Sequence, residues 1–495
     1  MMRWANFIHI YQPADQSLPI LDAVVNQSYR RVFNGLAKIP SFKLTLNING
    51  ALTELLAGNG YGDVIQAIRD LSEAGKLEFT ESAMNHAFLP FLAERDIERQ
   101  IRRNHETNLK HFGPSYKPKV FFPPEMAYSL KVARVVARMG YPVLMLDEIS
   151  HPQGGADTAS SLNIFDIEGA PGTVAVFRER RVSNLVMSSV VRDEQSFLTA
   201  LGDDAKSDRY LLTAMDGETF GHHRPGLENL LFAVMASSAV EHIFVSEIPT
   251  YYPKADNSIT PREATWASAE QDIEKGVQFF SWKAPQNKVH ALQWRFFGFL
   301  EKKFATLERP TRIVTNAFDM ASASDQYFWA SAEPWWSIEM IERGAWNMLA
   351  ALWLMPGLSR ADRRKGEELY RAIIAQAFKW QRTGMIETLA GKHRTAVRIP
   401  FHDRTVGEGK PEVYDAIMAM LKEKMKEAAI AENYEKAILW RDAMWKLETR
   451  NDIYDTVHAV DMLRQELPGG ELEKLMDKYK EEYRKVRPGQ PEFRG

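Results

Sequence analysis

The sequence contains no cysteine, which excludes disulfide bonds and metal sites built from thiolates. No apolar run approaches the roughly 20 residues of a membrane-spanning helix, and the first residues lack the basic and apolar regions of a signal peptide. The net charge is only −3, so the chain has no general attraction to nucleic acid or to anionic membranes. We therefore expect a cytoplasmic protein without nucleic-acid or membrane partners.

The 495 residues are enough for two or three domains, and the first half alternates short apolar runs with amphipathic helical segments. Such alternation predicts a parallel sheet covered by helices. Seven or eight repeats over about 250 residues favour a β/α barrel over an open sheet. The strand candidates are Trp4–Ile10, Phe42–Asn47, Leu77–Thr80, Lys119–Phe122, Val143–Leu146, Val174–Phe177, Tyr210–Met215 and Ile243–Val245.

The second half has a different pattern, because long segments with an apolar spacing of about 3.6 residues follow Trp266. Gln286–Leu307, Pro334–Leu354 and Ala361–Arg382 are predicted helices. The polar stretch around Pro400–Glu412 contains Gly and Pro and is typical of a linker. We therefore predict a barrel domain over 1–265, a helical domain over 266–400 and a helical tail over 411–495.

Polar side chains stand at or just past the end of nearly every predicted strand. In a β/α barrel these ends meet on one face, and that face holds the active site. One polar residue at a strand end is an ordinary cap, but a set at nearly every strand favours a shared site. The set is His9, Asn47, Glu81, Glu125, Asp147 with Glu148, Arg178, Asp216 and Glu247.

Two of these strand ends carry the acids that matter most for chemistry. Asp216 follows the apolar run Tyr210–Met215, and Glu218 comes two residues later. Glu125 follows the apolar run Val120–Phe122 and two prolines. Two carboxylates at separate strand ends are the groups that glycoside cleavage requires. Asp216 and Glu218 point the same way on an extended chain, so the chemistry alone leaves either of them as the second acid.

Several separated motifs, in the same order, resemble glycoside hydrolase family 57, whose members act mainly on α-glucans. The resemblance covers about residues 3–390. In this chain Tyr11 replaces the second histidine of the family's opening motif. The matching segments are His9–Pro13, Gly75–Glu78 with Asn85 and His86, Pro124–Tyr128, Phe177–Arg180 with Ser183, Asp216–His222, Ser246 with Glu247, and Ser324 with Asp325, Phe328 and Trp329.

The resemblance implies an incomplete seven-stranded β/α barrel followed by an α-helical domain that helps to close a sugar cleft. It also implies a retaining mechanism without a metal or an organic cofactor, in which Glu125 is the nucleophile and Asp216 the general acid/base. In this mechanism Glu125 must stay ionised, and we expect burial and a neighbouring carboxylate to raise the pKa of Asp216.

Further residues are expected to bind the sugar. Histidines can hydrogen-bond hydroxyls, and tryptophans offer flat apolar faces to sugar rings. For any single histidine or tryptophan, packing in the core is the plain alternative. The predicted substrate-binding residues are His9, Gln12, Glu81, His86, Tyr128, Arg178, Glu218, His222, Trp266, Asp325 and Trp329, and Trp282, Trp294 and Trp335 are further candidates for stacking.

The family includes several reactions on related substrates. We expect an α-amylase or a 4-α-glucanotransferase that acts on α-1,4-glucan, because the long loops and appended sugar-binding domains of other members are missing. An α-glucan branching enzyme is the alternative, since all these reactions use the same two carboxylates.

Two interpretations from other functional classes stay open. In the first, His9, Asp216, His222 and His223 bind a divalent metal, as in zinc-dependent mannosidases or polysaccharide deacetylases on related barrels. Glu125 would then have no role. In the second, the chain binds carbohydrate without cleaving it.

The C-terminal tail resembles the UVR motif, a short helical hairpin that docks on a partner protein. The resemblance rests on Met425–Ala429, Tyr434–Ala437, Arg441 with Asp442, and Leu447 with Glu448. A plain amphipathic hairpin packed on the helical domain is the alternative, so a protein partner is an open expectation.

Overall fold

The computed structural model describes residues 2–153, 162–189, 191–332, 335–391 and 411–449, together with Met462, Leu463 and Lys474. The chain divides into two compact units. The first consists of Met1–Thr219 and Glu228–Thr383, and the second of Phe220–Leu227 and the residues from Gly384 onward. The predicted boundary at 265/266 therefore lies inside the first unit. None of the described helices is long and apolar enough to cross a membrane.

Seven strands form a continuous parallel row in the sheet of the first unit, and two short strands are added to this row, one antiparallel and one parallel. The bounds are β1 Arg3–Ile10, β2 Leu44–Ile48, β3 Leu77–Glu81, β4 Val120–Phe121, β5 Val143–Asp147, β6 Phe165–Asp166, β7 Val174–Arg178, β8 Tyr210–Asp216 and β9 Glu241–His242. The parallel strands follow the order β7-β5-β4-β3-β2-β1-β8, while β6 pairs antiparallel with β7 and β9 pairs with β1.

The barrel is incomplete between β7 and β8, which are the last parallel strands on either side of this order. These two strands form no ladder within the described residues. Instead, the Glu179 N–H donates to the Leu212 carbonyl oxygen at 2.8 Å just beyond β7. The predicted incomplete seven-stranded barrel is confirmed.

Alternate residues of each strand point into the barrel, as the two-residue period of a strand requires. Ala5 and Phe7 of β1 and Leu212 and Ala214 of β8 belong to one buried apolar cluster. His9 and Asp216 continue the same two rows at the strand ends, and they are paired in the β1–β8 register. The apolar rows therefore end in polar groups on one face of the barrel.

The predicted strand Ile243–Val245 differs from the structure, where the short strand β9 lies at Glu241–His242. The chain then turns into a single 3-10 turn over Val245–Glu247. The Glu247 carboxylate accepts a hydrogen bond from the Phe244 N–H at 2.8 Å, and this side-chain bond favours the turn over a longer strand.

The long helices of the second half lie close to their predicted positions. Asn287, Ser337 and Ser359 begin three of them, and each side chain accepts a hydrogen bond from a backbone N–H of the first turn. The helices are α1 Leu18–Val24, α2 Arg30–Ala37, α3 Gly50–Gly58, α4 Gly62–Glu73, α5 Glu94–Phe112, α6 Leu130–Arg138, α7 Arg180–Met187, α8 Glu194–Leu201, α9 Glu228–Ala236, α10 Ile248–Tyr251, α11 Glu270–Glu274, α12 Phe280–Lys283, α13 Lys288–Phe304, α14 Arg312–Ala321, α15 Asp325–Phe328, α16 Ile338–Leu354, α17 Arg360–Arg382, α18 Met385–Gly391, α19 Pro411–Ile430 and α20 Tyr434–Thr449.

The second unit contains the helical hairpin of α19 and α20. Its buried cluster includes Leu421, Ala428, Trp440 and Leu447, so the two helices share their own apolar core. A helical hairpin is thus present, while its likeness to the UVR motif and its docking on a partner stay predictions. Most of the predicted linker lies outside the described residues, and α19 begins at Pro411.

Candidate active site

Glu125 stands just past the end of β4 in a strained backbone conformation. Its φ of 63° places it in the left-handed region, which residues other than glycine rarely adopt. The Trp266 indole N–H donates to Glu125 Oε2 at 2.7 Å, and the Trp266 backbone N–H donates to the Glu125 carbonyl oxygen at 3.2 Å. Two bonds from one residue therefore fix both the backbone and the side chain of Glu125.

Asp216 ends β8 opposite His9, and it presents its carboxylate on the same face of the barrel. The next residue, Gly217, packs tightly against β1. A Cβ atom there would lie 2.5 Å from Ile10 Cγ2 and 2.7 Å from Ile8 Cγ2. Since only glycine fits, the close approach of the two strands determines where Asp216 stands.

Burial raises the pKa values of both carboxyls. The pKa of Glu125 rises to about 8 through burial and through the charges of Asp216 and Asp325, although the Trp266 hydrogen bond opposes this shift. The pKa of Asp216 rises to about 6 through burial, and the Arg178 charge opposes it. Between these values the pair holds one proton, which is the state that general acid catalysis with a carboxylate nucleophile needs.

The two carboxyls do not have the expected order. A raised pKa was expected for Asp216 and an ionised state for Glu125, and the higher pKa belongs to Glu125 in the free site. The reason is the surroundings: Glu125 lies near two other carboxylates, whereas Asp216 has the guanidinium of Arg178 as its neighbour.

His9 lies at the end of β1, and a chain of hydrogen bonds fixes its ring. Its Nδ1 donates to Asn47 Oδ1 at 2.8 Å, and Asn47 in turn donates to Thr80 Oγ1 at 2.9 Å. Burial lowers the pKa of His9 to about 4, so the imidazole is neutral at pH 7. With Nδ1 as the donor, Nε2 is left as an acceptor for a hydroxyl group.

His86 stacks on the His9 ring, with the ring centroids 5.0 Å apart. Its Nδ1 lies 3.0 Å from Ser324 Oγ and 3.8 Å from Glu125 Oε1. Burial and the neighbouring His9 lower its pKa well below the ordinary value. Its Nε2 is buried and has no hydrogen-bond partner among the described residues, so it is available to a ligand.

Glu218 is buried beneath the site, and protein groups already engage its carboxylate. Tyr29, the Gln12 amide and the Tyr11 backbone N–H all donate to Oε1. Burial and the Asp216 charge raise its pKa to about 7. Gln12 and Glu218, both predicted to bind substrate, are therefore bonded to each other.

Glu81 is fully buried, and its side chain contacts the helical layer. Its two oxygens bond to Asn104, His105, Tyr116 and Tyr141 at 2.6 to 3.1 Å. The adjacent residue Thr80 bonds to Asn47 instead. Because successive residues of a strand face opposite sides, Glu81 points away from His9 and Asn47.

Arg178 ends β7 with all three guanidinium nitrogens bonded to protein groups. It donates to Asp147 Oδ2 at 2.8 Å, to the Ala214 carbonyl oxygen at 2.9 Å and to Asn184 Oδ1 at 3.1 Å. This arrangement joins β7 to β8 two residues before Asp216. Arg178 therefore supports Asp216 by geometry and by charge.

The remaining predicted residues have different surroundings. Asp325 begins α15, accepts a hydrogen bond from the Tyr11 hydroxyl at 2.6 Å, and has a pKa raised to about 6 by burial. Tyr128 is buried, and its hydroxyl has no partner among the described residues. Trp329 is partly exposed beside Trp335, with the ring centroids 5.5 Å apart.

The other tryptophan candidates divide between core and site. Trp282 and Trp294 belong to an apolar cluster, in which the Trp294 ring stacks on Tyr327 at 3.9 Å. For these two, packing explains the burial. Trp266 contacts Glu125 through a hydrogen bond, a role that composition and spacing do not predict.

His222 belongs to the second unit, together with His223 of the metal-binding interpretation, and the Gly221 N–H in this segment donates to the Arg224 carbonyl oxygen at 3.2 Å. The role of His222 stays a prediction. The described residues include no group of three or more His, Cys, Asp or Glu side chains that could hold a metal ion. The metal-binding interpretation therefore lacks a ligand set in this part of the chain.

Sequence reasoning missed Tyr11 as a residue that contacts the candidate site. It was noted only as a departure from a motif, although its phenol bonds to Asp325 and its ring stacks on His86. The signal was its position two residues after His9, on the same side of the chain. A cavity of about 30 Å³ adjoins Tyr11 and Asp325, and its polar lining also includes Asp15, Asn85, Arg343 and Asn347.

Comparison with known proteins agrees with the barrel fold. Residues 11–254 match the family model of Glycosyl hydrolase family 57. Alpha-amylase 1 of Dictyoglomus thermophilum is 22% identical over 215 residues, which are 43% of this chain and 31% of that protein. The chain thus matches about a third of the length of this curated relative.

Two solved structures share the fold. The 4-alpha-glucanotransferase of Thermococcus litoralis has a TM-score of 0.54 at 16% identity, over 71% of this chain and 58% of that chain. The GH57 branching enzyme of Thermococcus kodakaraensis, solved with glucose, has a TM-score of 0.56 at 13% identity, over 76% and 96%. At such identities the likeness concerns the fold alone.

Proposed function

We propose that this chain, whose residues 11–254 belong to glycosyl hydrolase family 57, is a retaining enzyme that hydrolyses or transfers α-1,4-glucan chains. Glu125 is the nucleophile and Asp216 the general acid/base. The observation that carries the proposal is the pair itself. Two carboxyls at the ends of β4 and β8 both have raised pKa values, and Asp216 raises the pKa of Glu125 through its charge.

The reaction has two steps. Glu125 attacks the anomeric carbon while the glycosidic C–O bond breaks, and the leaving oxygen takes the proton of Asp216. Water or a sugar hydroxyl then gives its proton to Asp216 and displaces Glu125 from the anomeric carbon, which returns both carboxyls to their starting states. Two displacements at one carbon retain its configuration.

Binding of the sugar must place the shared proton on Asp216. In the free site the proton favours Glu125, where burial and two carboxylate charges act together. A glycosidic oxygen beside Asp216 accepts a hydrogen bond only from the protonated acid. The Trp266 N–H meanwhile stabilises ionised Glu125, so substrate and indole together favour the reactive arrangement.

Eight of the other predicted residues fall into two groups in this proposal. His9, His86, Asp325 and Trp329 contact the sugar, since neutral imidazole nitrogens, a carboxylate and an indole face suit hydroxyls and pyranose rings. A second group supports the fold around the site and does not contact the sugar, because protein donors and acceptors already occupy its polar atoms. That group contains Gln12, Glu81, Arg178 and Glu218.

The substrate class rests on the family match and on the residues of the cleft. An amylase and a 4-α-glucanotransferase are the preferred activities, and branching is the alternative. Both preferred activities use the same first step, and they differ in whether water or a sugar hydroxyl reaches the intermediate.

The test is chromatography of the products from maltoheptaose and amylose. We expect Glu125→Gln to lower turnover by about 10⁴-fold or more and Asp216→Asn by about 10²- to 10⁴-fold. Glu308→Gln and Asp70→Asn remove exposed carboxylates and should leave turnover unchanged.

Each product pattern has one meaning. Shorter sugars alone identify a hydrolase, a ladder of longer sugars a transferase, and new 1,6 links a branching enzyme. Absence of turnover by the native chain, or full activity of either active-site variant, would refute the proposal and favour the carbohydrate-binding interpretation.

A further inference from the structure

Tyr11 touches three of the candidate site groups at once. It follows β1 directly, where the family's opening motif has a second histidine. Its phenol, its ring and its backbone N–H each contact a different partner, namely Asp325, His86 and Glu218.

The phenol contact joins the barrel to the helical region. The Tyr11 hydroxyl donates to Asp325 Oδ2 at 2.6 Å, a short charge-assisted hydrogen bond between the end of β1 and the start of α15. The two residues are 314 positions apart in the chain, so the backbone between them does not fix their relative position. The Ser324 N–H already ties the backbone beside Asp325 to the His86 carbonyl oxygen at 3.1 Å. The phenol adds the hydrogen bond that orients the Asp325 carboxylate toward the end of β1.

The contact between the Tyr11 and His86 rings connects Tyr11 to the proposed nucleophile, Glu125. The centroids of the Tyr11 and His86 rings are 4.2 Å apart, and the planes are inclined by 18°. His86 Nδ1 in turn lies 3.8 Å from Glu125 Oε1. A smaller or mobile side chain at position 11 would leave one face of the His86 ring without support.

The backbone contact is independent of the side chain. The Tyr11 N–H donates to Glu218 Oε1 at 3.3 Å, and this bond persists in any substitution other than proline. The side-chain contacts can therefore be removed while this anchor of the strand end is kept.

We propose that Tyr11 is a positioning residue that holds Asp325 and His86 in the orientation in which they meet the sugar at Glu125. The inference rests on the proposed function, and it assigns to this chain a tyrosine–aspartate pair where the family's motif has a histidine. A phenol donates one hydrogen bond over the whole working pH range, because burial and the Asp325 charge hold the pKa of Tyr11 well above its ordinary value.

Several charged and titratable groups surround Asp325 besides Tyr11. Asp15 lies close enough to raise its pKa, and Arg343 lines the same cavity. On the barrel side, the Asp325 charge raises the pKa of Glu125. Among these groups, the Tyr11 hydroxyl provides the hydrogen bond that stabilises the ionised form of Asp325.

A double-mutant cycle tests the pair. We expect Tyr11→Phe, which keeps the ring and the backbone N–H, to lower kcat/KM on maltoheptaose by about 10- to 100-fold. In an Asp325→Asn background the same change should cost less than about threefold, because the phenol acts through Asp325. Tyr370→Phe is the matched control, since its hydroxyl bonds to Glu342 at the same 2.6 Å outside the site, and we expect no loss of kcat/KM.

A second measurement needs no turnover. In a chain labelled with carboxyl-¹³C aspartate, Tyr11→Phe should raise the pKa of Asp325, because the variant loses the donor that favours the ionised carboxylate. Tyr370→Phe should leave the Asp325 titration unchanged.

The outcomes separate this proposal from the proposed function. Additive losses in the cycle, or an unchanged Asp325 titration in Tyr11→Phe, would overturn the positioning role even if the native chain is active. A native chain that cleaves no glucan would overturn the proposed function, and the titration would still decide the coupling of Tyr11 to Asp325.

Discussion

At the scale of single residues, the site combines buried carboxyls with neutral histidines. Burial raises the pKa values of Glu125, Asp216 and Glu218, and it lowers those of His9 and His86. The cleft at pH 7 therefore contains few full charges for its number of titratable groups. Sugars are neutral, and such a site offers them hydrogen bonds without a large cost in desolvated charge.

The pH dependence of kcat/KM should follow the shared proton. The reactive form has one proton on the pair, so activity should be highest between about pH 6 and 8 and should fall on both sides. Initial rates from pH 4 to 10 measure this profile. A plateau that extends past pH 10 would contradict the required acid.

The free energy of unfolding should also depend on pH, because Glu125 is buried. Its pKa is 4.5 in the unfolded chain and about 8 in the folded one. Between these values the folded state binds more protons, so the free energy of unfolding falls as pH rises through this window. Glu125→Gln removes the free-energy cost of ionising this buried carboxyl. The Tm of the variant should therefore exceed that of the native chain at pH 8 but match it near pH 4.5. Thermal unfolding of both proteins, with Glu308→Gln as control, measures this.

At the scale of elements, strand ends and the turns behind them place the two candidate catalytic carboxyls. β1 and β8 run side by side with His9 opposite Asp216, and Gly217 allows this close approach. The Trp266 segment in turn is held by Arg180, which donates to the Trp266 carbonyl oxygen at 2.6 Å and to the Ser268 carbonyl oxygen at 2.7 Å. Glu125 thus depends on a loop about 140 residues later in the chain.

Gly217→Ala tests the packing of β8 against β1. The added methyl group overlaps Ile8 and Ile10, so we expect a loss of about 1–3 kcal/mol in unfolding free energy and reduced kcat. Gly58→Ala is the control, because its Cβ meets no atom within 4 Å and alanine is the better helix former. Urea unfolding and initial rates measure both variants. A Gly217→Ala chain as stable and active as native would show that Asp216 does not depend on this contact.

At the scale of the whole molecule, the two units contain different parts of the protein. The first contains the barrel, the helices up to Arg382, and every predicted site residue except His222 and His223. The second contains a hairpin with its own buried cluster, in which Trp440 is 2% exposed. A hairpin with its own core does not need the barrel's core for its packing.

A chain that ends at residue 410 tests this division. We expect it to retain most of the native kcat/KM on maltoheptaose, because the tail contributes neither of the two proposed catalytic carboxyls. Turnover and thermal unfolding of both chains are compared, with Trp440→Asp in the full chain as the matched variant that disrupts only the hairpin cluster. Loss of both turnover and Tm would show that the tail is part of the catalytic fold.

Much of this organisation follows from the sequence alone. Short apolar runs located the seven strands of the continuous parallel row, because a strand buried in a barrel is apolar along most of its length. The acids at the ends of β4 and β8 could also be predicted from the sequence, because each follows an apolar run and a charged side chain is not expected in an apolar core. The shift of β9 was not visible, because a side-chain bond from Glu247 decides it.

Only the tertiary structure decided which side chains meet. The partners of Glu125, Asp325 and Glu218 lie 141, 314 and 189 residues away in the chain, and no local pattern encodes such pairs. The order of the two pKa values likewise depended on Arg178 and Asp325, which folding brings near Asp216 and Glu125. Local periodicity determines the strands and their polar ends, whereas distant contacts determine the charge, the orientation and the proton of each group at those ends.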